Sequence, residues 1–277
     1  MSDRCAGDAA RLGVRLLVGC PRFTNRRAES VGGASRSGPV ALLRTYAEFL
    51  VGVGYRRVAL ITEPDRYWST GAGILRAVLG EAGVGVVSVD ASATDAADAA
   101  AQLAEIGGMA AAVLLVAYPE PAASLVRAFR ASGALADMAI GDPAGRAEFS
   151  GWSQILGVDG LGVSFLRYLP ARLGRAGKAI ERRLTEVVGE APSFVAFEAY
   201  DAISVVVAAL RAGGCERPAL AASFGELTVA GTRGQIRFTR VPGVSVWQWA
   251  WPPIQVAARV QTEGPRAIAV LREQADG

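Results

Sequence analysis

Residues 56–90, RRVALITEPDRYWSTGAGILRAVLGEAGVGVVSVD, decide the fold class. Val58–Ile61 is a short run of apolar residues between charged ones and reads as a buried strand. Beyond the loop Glu63–Ser69, the apolar residues Ile74, Leu75, Val78 and Leu79 recur at helical spacing, ending near Gly80–Gly83. Val84–Val89 is a second strand. The order strand, loop, helix, strand is the repeating unit of an α/β protein, and it draws attention to the loop Asp65-Arg66-Tyr67-Trp68-Ser69.

The same rhythm extends in both directions. Pro39 opens a helix in which Leu42, Leu43, Tyr46, Phe49 and Leu50 share a face, and Gly52 and Gly54 close it. Asp95–Ile106 reads as an Ala-rich helix and Ala111–Ala117 as a continuous apolar strand. Pro121 is expected to start a helix carrying Leu125, Val126 and Phe129, which Gly133 stops; a short strand then ends at Ile140. Strands apolar on both faces, alternating with helices, imply a parallel sheet covered on both sides. Ligands of such sheets sit beyond the carboxyl ends of the strands. That rule brings Glu63–Ser69, Tyr118–Glu120 and Gly141–Gly145 to one edge.

Past Pro170 the character changes. Ala171–Gly189 reads as a long charged helix. Ser193–Gly213, SFVAFEAYDAISVVVAALRAG, is apolar nearly all round and is expected to be buried. The stretch GTRGQIRFTR is a turn and a strand, and Trp247, Trp249 and Trp251 alternate on one strand face, where they serve hinge and core packing.

Composition excludes several functions. The chain has 277 residues, 51% hydrophobic and 20% charged, which suits a globular protein of two lobes. A net charge of +3 is too weak to imply nucleic acid, and the cluster Arg22, Arg26, Arg27 and Arg36 reads as a solvated loop. There is no histidine, which removes Ser-His-Asp and Cys-His catalysis and the common imidazole metal sites. Cys5, Cys20 and Cys215 contain no CxxC and are odd in number, so buried or free thiols are expected. The longest apolar run, Ala202–Leu210, is far short of the roughly 20 residues of a membrane span. Leu17-Val18-Gly19-Cys20 matches the short pattern for lipoprotein cleavage, but Arg15 interrupts the apolar stretch, and a strand over Val14–Cys20 is the better reading. Gly71-Ala72-Gly73 begins a dinucleotide fingerprint that Arg76 spoils, and neither GxxxxGK[ST] nor GxSxG occurs. No cofactor and no metal are expected.

GPVALLRTYAEFLVGVGYRRVALITEPDRYWSTG, VLLVAYPEPAASLVRAFRASG, and FEAYDAISVVVAALRAGG followed by LTVAGTRGQIRF occur in an order that resembles the type I periplasmic binding proteins. The likeness, over roughly residues 10–255, is to the leucine/isoleucine/valine-binding branch that serves ABC importers. It implies two Rossmann-like lobes with the ligand held in a cleft between them, a permease as partner, and no catalysis. Family members normally begin with a signal sequence and several β-α units, and residues 7–37 look like the end of that part. The first lobe is therefore expected to be incomplete. The implied division is 1–37 as a remnant of lobe 1, 38–166 as a complete lobe 2, 167–245 as lobe 1 continued, and 246–277 as strand, hinge segment and tail.

By position the resemblance implies Tyr67 and Tyr118 as the aromatic hydroxyls of the second lobe, Ser69 as a further hydroxyl, and Thr24 facing them from the first. The family's acid falls near GDPAG, which makes Asp142 the candidate partner for a ligand ammonium. Ser69 or Thr70 is alternatively a helix N-cap, and Asp142, ahead of Pro143, a turn residue. The implied ligand is a small polar molecule, an amino acid or a related amide. The implied location is periplasmic or extracytoplasmic, or cytoplasmic if the start is genuine. Two alternatives stand beside it: a cytoplasmic small-molecule sensor on the same fold, and a histidine-free α/β enzyme.

Overall fold

The apolar runs become adjacent strands of one sheet, because each is hydrophobic on both faces and needs a layer above and below it. The structure is a computed structural model and describes residues 39–91, 95–116, 118–240, 247–259 and 265–272. The predicted strand Val14–Cys20, the arginine cluster and Thr24 lie outside them. The described residues divide into two compact units, one built on 40–167 with the described part of 255–271, the other on 168–254.

In the larger unit the elements run α1 (Pro39–Val53), β1 (Arg57–Thr62), α2 (Arg66–Glu81), β2 (Gly85–Asp90), α3 (Ala96–Ile106), β3 (Ala111–Leu115), α4 (Pro119–Ala131), β4 (Ala139–Asp142), α5 (Ser150–Leu156) and β5 (Ser164–Arg167). After the smaller unit the chain returns with β9 (Ile254–Ala258) and β10 (Arg266–Arg272), completing a seven-stranded sheet in the order β10-β9-β5-β4-β3-β1-β2. Neighbouring strands from β5 to β2 are all parallel, with Leu60 beside Val113 and Gly141 beside Ser164, while β5 and β9 are antiparallel. Ala59, Ile61, Ala112, Leu114, Ile140 and Phe165 pack under Leu103 of α3, Val126 and Phe129 of α4 and Trp152 of α5. On the other face Tyr46 of α1 reaches Gly141 and Ser164, and Leu43 of α1 meets Gly71 of α2. Each fully buried Leu or Ile, such as Leu60, Ile61, Leu75 and Leu79, contributes about 1.5–3 kcal/mol.

The smaller unit comprises α6 (Arg175–Val188), α7 (Phe194–Gly213), α8 (Arg217–Ser223) and the antiparallel strands β6 (Thr228–Gly231), β7 (Gly234–Thr239) and β8 (Gln248–Trp249). Val205 and Ala209 of α7 pack with Leu220, Phe224, Ile236, Phe238 and Trp249. The all-round burial expected for Ser193–Gly213 does not hold. Helix α7 is buried along one side only: Tyr200, Ile203 and Val207, which share a stripe at three- and four-residue spacing, are exposed, Ile203 by 66%. Near-uniform apolarity left the buried side undefined, and contact with α8 and β6–β7 selects it. Trp249 is core, Trp247 packs against it, and Trp251 is exposed.

Residues 246–277, read from sequence as strand, hinge and tail, thus add β8 to the small sheet and β9 and β10 to the large one. Cys215 is disulfide-bonded, which corrects the free-thiol expectation for that residue; a single cysteine in sequence does not reveal its pairing. Among the described residues no helix is long and apolar enough to cross a membrane, and no group of acidic or cysteine side chains could hold a metal ion.

Candidate functional site

The carboxyl ends of β1, β3 and β4 lie side by side, so their following loops span about two strand spacings, roughly 10 Å. After β1 the chain turns sharply: Glu63 N–H bonds to Leu115 O and Asp65 N–H to Glu63 O. Asp65, extended at φ −114°, caps α2 by accepting Trp68 N–H at 2.7 Å on its side chain. The cap is thus Asp65, neither Ser69 nor Thr70; Ser69 stands exposed on the first turn and Thr70 bonds back to Arg66 O. Tyr67 is partly buried and meets the Trp68 ring edge-on, centroids 4.4 Å apart.

Past β3, Tyr118 is the N-cap residue of α4, with no side-chain cap bond, and is 65% exposed. The helix begins at Pro119 rather than at the predicted Pro121, since either proline fits a first turn where N–H groups lack partners.

Asp142, the last residue of β4, turns away from solvent. Only 2% exposed, it accepts Ala144 N–H at 3.1 Å on Oδ1 and Ala147 N–H at 2.9 Å on Oδ2. Both oxygens therefore shape its own loop, in which Gly145 adopts φ 75°, a left-handed conformation suited to glycine. Burial raises the Asp142 carboxyl above its ordinary value, against the opposing charge of Arg146 and the amides of Ala147, Ala144 and Arg146. The carboxylate expected to meet a ligand is the fastener of the loop.

Sequence reasoning missed the residue that links the three loops. The guanidinium of Arg146, from the β4 loop, donates to Val116 O at the end of β3 and lies over the Trp68 ring at 4.5 Å. As one of 29 basic residues outside any motif, it carried no signal. Beside it, Glu148 is buried and paired to Arg167 at 2.7 Å, tying this loop to the end of β5. The edge thus presents a held cation, two tyrosines and a serine on a rigid sheet. Such groups can form charge-assisted and hydroxyl hydrogen bonds of the kind a small polar molecule accepts.

A doubly covered, largely parallel sheet with three loops aligned at its carboxyl edge defines the class of architecture: an α/β protein of the kind that meets ligands at strand ends. The family model for periplasmic binding proteins matches residues 15–244, and the chain belongs to that family. The chain is similar in fold to a leucine-binding protein from Thermotoga maritima (18% identity, TM-score 0.68, 84% of this chain and 66% of that one). It is likewise similar to a solute-binding protein of an ABC transporter from R. palustris in complex with benzoate (12%, TM-score 0.68, 87% and 66%). A third is a putative branched-chain amino acid ABC transporter protein from Silicibacter pomeroyi (19%, TM-score 0.66, 87% and 66%). At these identities the likeness is one of fold, and the chain spans 66% of the length of each of the three. No curated protein sequence matches it.

Proposed function

We propose that this chain is the solute-receptor component of an ABC-type importer. It takes a small polar ligand, an amino acid or a related acid or amide, at the carboxyl edge of its seven-stranded sheet, and releases it to a permease chemically unchanged. The observation that carries this reading is the alignment of the β1, β3 and β4 loops along one edge in a member of the periplasmic binding protein family. The similar proteins with leucine and benzoate in their descriptions supply the ligand range. In this reading Tyr67, Ser69 and Tyr118 touch the ligand, Asp142 holds the loop, and Thr24 contributes from outside the described residues. The total absence of histidine supports binding over turnover.

Binding of leucine and benzoate to the 277-residue chain, followed by calorimetry and tryptophan fluorescence, tests this. Tyr67→Ala and Tyr118→Ala are each expected to weaken the tighter ligand about tenfold, the size of one lost hydrogen bond plus ring contact. Undiminished affinity in both variants would remove this edge from the binding surface.

The disulfide at Cys215 supports an extracytoplasmic location, since such bonds persist in oxidising compartments. With three cysteines in the chain, one thiol remains once two are bonded. Titration of the natively expressed, denatured protein should therefore find one reactive thiol without reductant and three after reduction. Three thiols in both samples would favour the cytoplasmic sensor instead.

A further inference from the structure

We infer that Arg146 is the ligand anchor of this edge and that the ligands it selects are small carboxylic acids, held by the carboxylate and needing no α-ammonium. The inference rests on the receptor reading above and names its ligand class.

A guanidinium offers five N–H donors in a planar fork. That of Arg146 gives one hydrogen bond, to Val116 O, and rests a face on Trp68. These two contacts hold the fork in place while leaving its other donors without a protein acceptor among the described residues. The group is partly buried, so water screens it less than a surface arginine, and it sits where three strands end. A carboxylate matches such a fork with two parallel charge-assisted hydrogen bonds. Tyr67 and Tyr118 belong to the flanking segments, the first turn of α2 and the start of α4.

Recognition of an ammonium at the same edge would require an available buried acid, and the buried acids here bind protein groups. Asp142 is buried with both oxygens on loop amides. Asp65 caps α2, and Glu148 is paired with Arg167. Glu63 has a partner of its own, and Glu120, on the first turn of α4, is exposed to water, where an ion pair adds little. The edge therefore offers a held guanidinium, while the two carboxylates buried nearest it, Asp142 and Glu148, bind protein groups. Asp142 is near enough to temper the charge of Arg146, yet its oxygens are not presented to a ligand.

The test compares matched ligands on the 277-residue chain by calorimetry, with ligand-observed NMR for weak binders. The panel is leucine, 4-methylpentanoate (leucine without its ammonium), leucinamide (leucine without its carboxylate), benzoate and benzamide. Both acids without ammonium should bind at least as tightly as leucine, and both amides at least about tenfold more weakly than their acids. Arg146→Gln should abolish the preference for acid over amide, and Arg146→Lys should retain part of it. Should Arg146→Gln fail to fold, the acid-to-amide ratios of the natural chain and of Arg146→Lys decide the matter alone. Leucinamide binding as well as leucine, or an acid preference untouched by Arg146→Gln, overturns the inference while leaving the receptor reading intact. Silence across the whole panel overturns the receptor reading itself.

Discussion

Asp201→Ala is expected to destabilise the 168–254 unit by about 3–5 kcal/mol, the usual cost of breaking a buried ion pair from one side. Asp201 is fully buried on α7; its Oδ1 accepts Thr232 N–H at 2.6 Å and its Oδ2 accepts Arg233 Nε–H at 3.0 Å. Arg233, itself with no exposed side-chain surface, also donates to Glu198 Oε1 and to Tyr168 O, each at 3.1 Å, and its guanidinium lies 4.8 Å from the centre of the Trp249 ring. Truncating Asp201 leaves a bare amide at the β6–β7 turn and a cation balanced by one carboxylate where there were two. Water is a poor substitute there, because Asp201, Thr232 and Arg233 are all buried and Trp249 lies over the guanidinium. Asp201→Asn keeps an acceptor for Thr232 and should cost visibly less. Urea unfolding followed by the fluorescence of Trp247 and Trp249 measures both. A shift in Asp201→Ala below about 1 kcal/mol would show that the cluster relaxes or hydrates freely, contrary to its burial.

Gly141→Ala is expected to cost about 3 kcal/mol, at the upper end of core overpacking. An added Cβ would lie 1.8 Å from the Tyr46 hydroxyl oxygen, 3.1 Å from Tyr46 Cζ and 3.3 Å from Ser164 Oγ. The Tyr46 ring has no exposed surface, and burial raises its hydroxyl well above the usual phenol range, so it has nowhere to swing. Helix α1 and strand β4 would have to separate. The double variant Tyr46→Phe/Gly141→Ala removes the nearest atom but retains the 3.1 Å contact, and should recover about half of the loss. Denaturant midpoints of the single and double variants give the coupling directly. Equal stability of Gly141→Ala and the natural chain would mean that α1 is not seated against β4. Because Gly141 adjoins Asp142, the single variant should also disturb the loop that Asp142 fastens.

Much of the architecture was legible before any coordinates. Val58–Ile61 and the run from Ala111 declare themselves as buried strands, because residues hydrophobic on both faces can be accommodated only between two layers. They pair in one parallel sheet. Helix α1 follows from Pro39 and its apolar spacing, and the position of the loops after β1, β3 and β4 follows from the topology alone. Boundaries were less secure: α4 starts two residues early, and Asp65 rather than Ser69 or Thr70 caps α2. Capping depends on backbone angles at a single residue, which neighbouring polar residues can supply equally well on paper.

What remained hidden were side-chain directions and long-range partners. Tyr67 and Tyr118 could be set at one edge by counting along the chain, but nothing local shows that the carboxylate of Asp142 folds back onto the amides of Ala144 and Ala147. Nor does anything local show that Arg146 crosses to Val116 and Trp68, two loops distant in sequence. The exposed stripe of α7 and the bond at Cys215 belong to the same group. The sequence by itself determined the parallel sheet, its covering helices and the edge where the loops after β1, β3 and β4 align, because apolar periodicity is a local property that solvent reads residue by residue. Only the tertiary structure decided which side chains that edge holds inward, because a side chain's direction is set by the hydrogen bonds left open when distant loops close on one another.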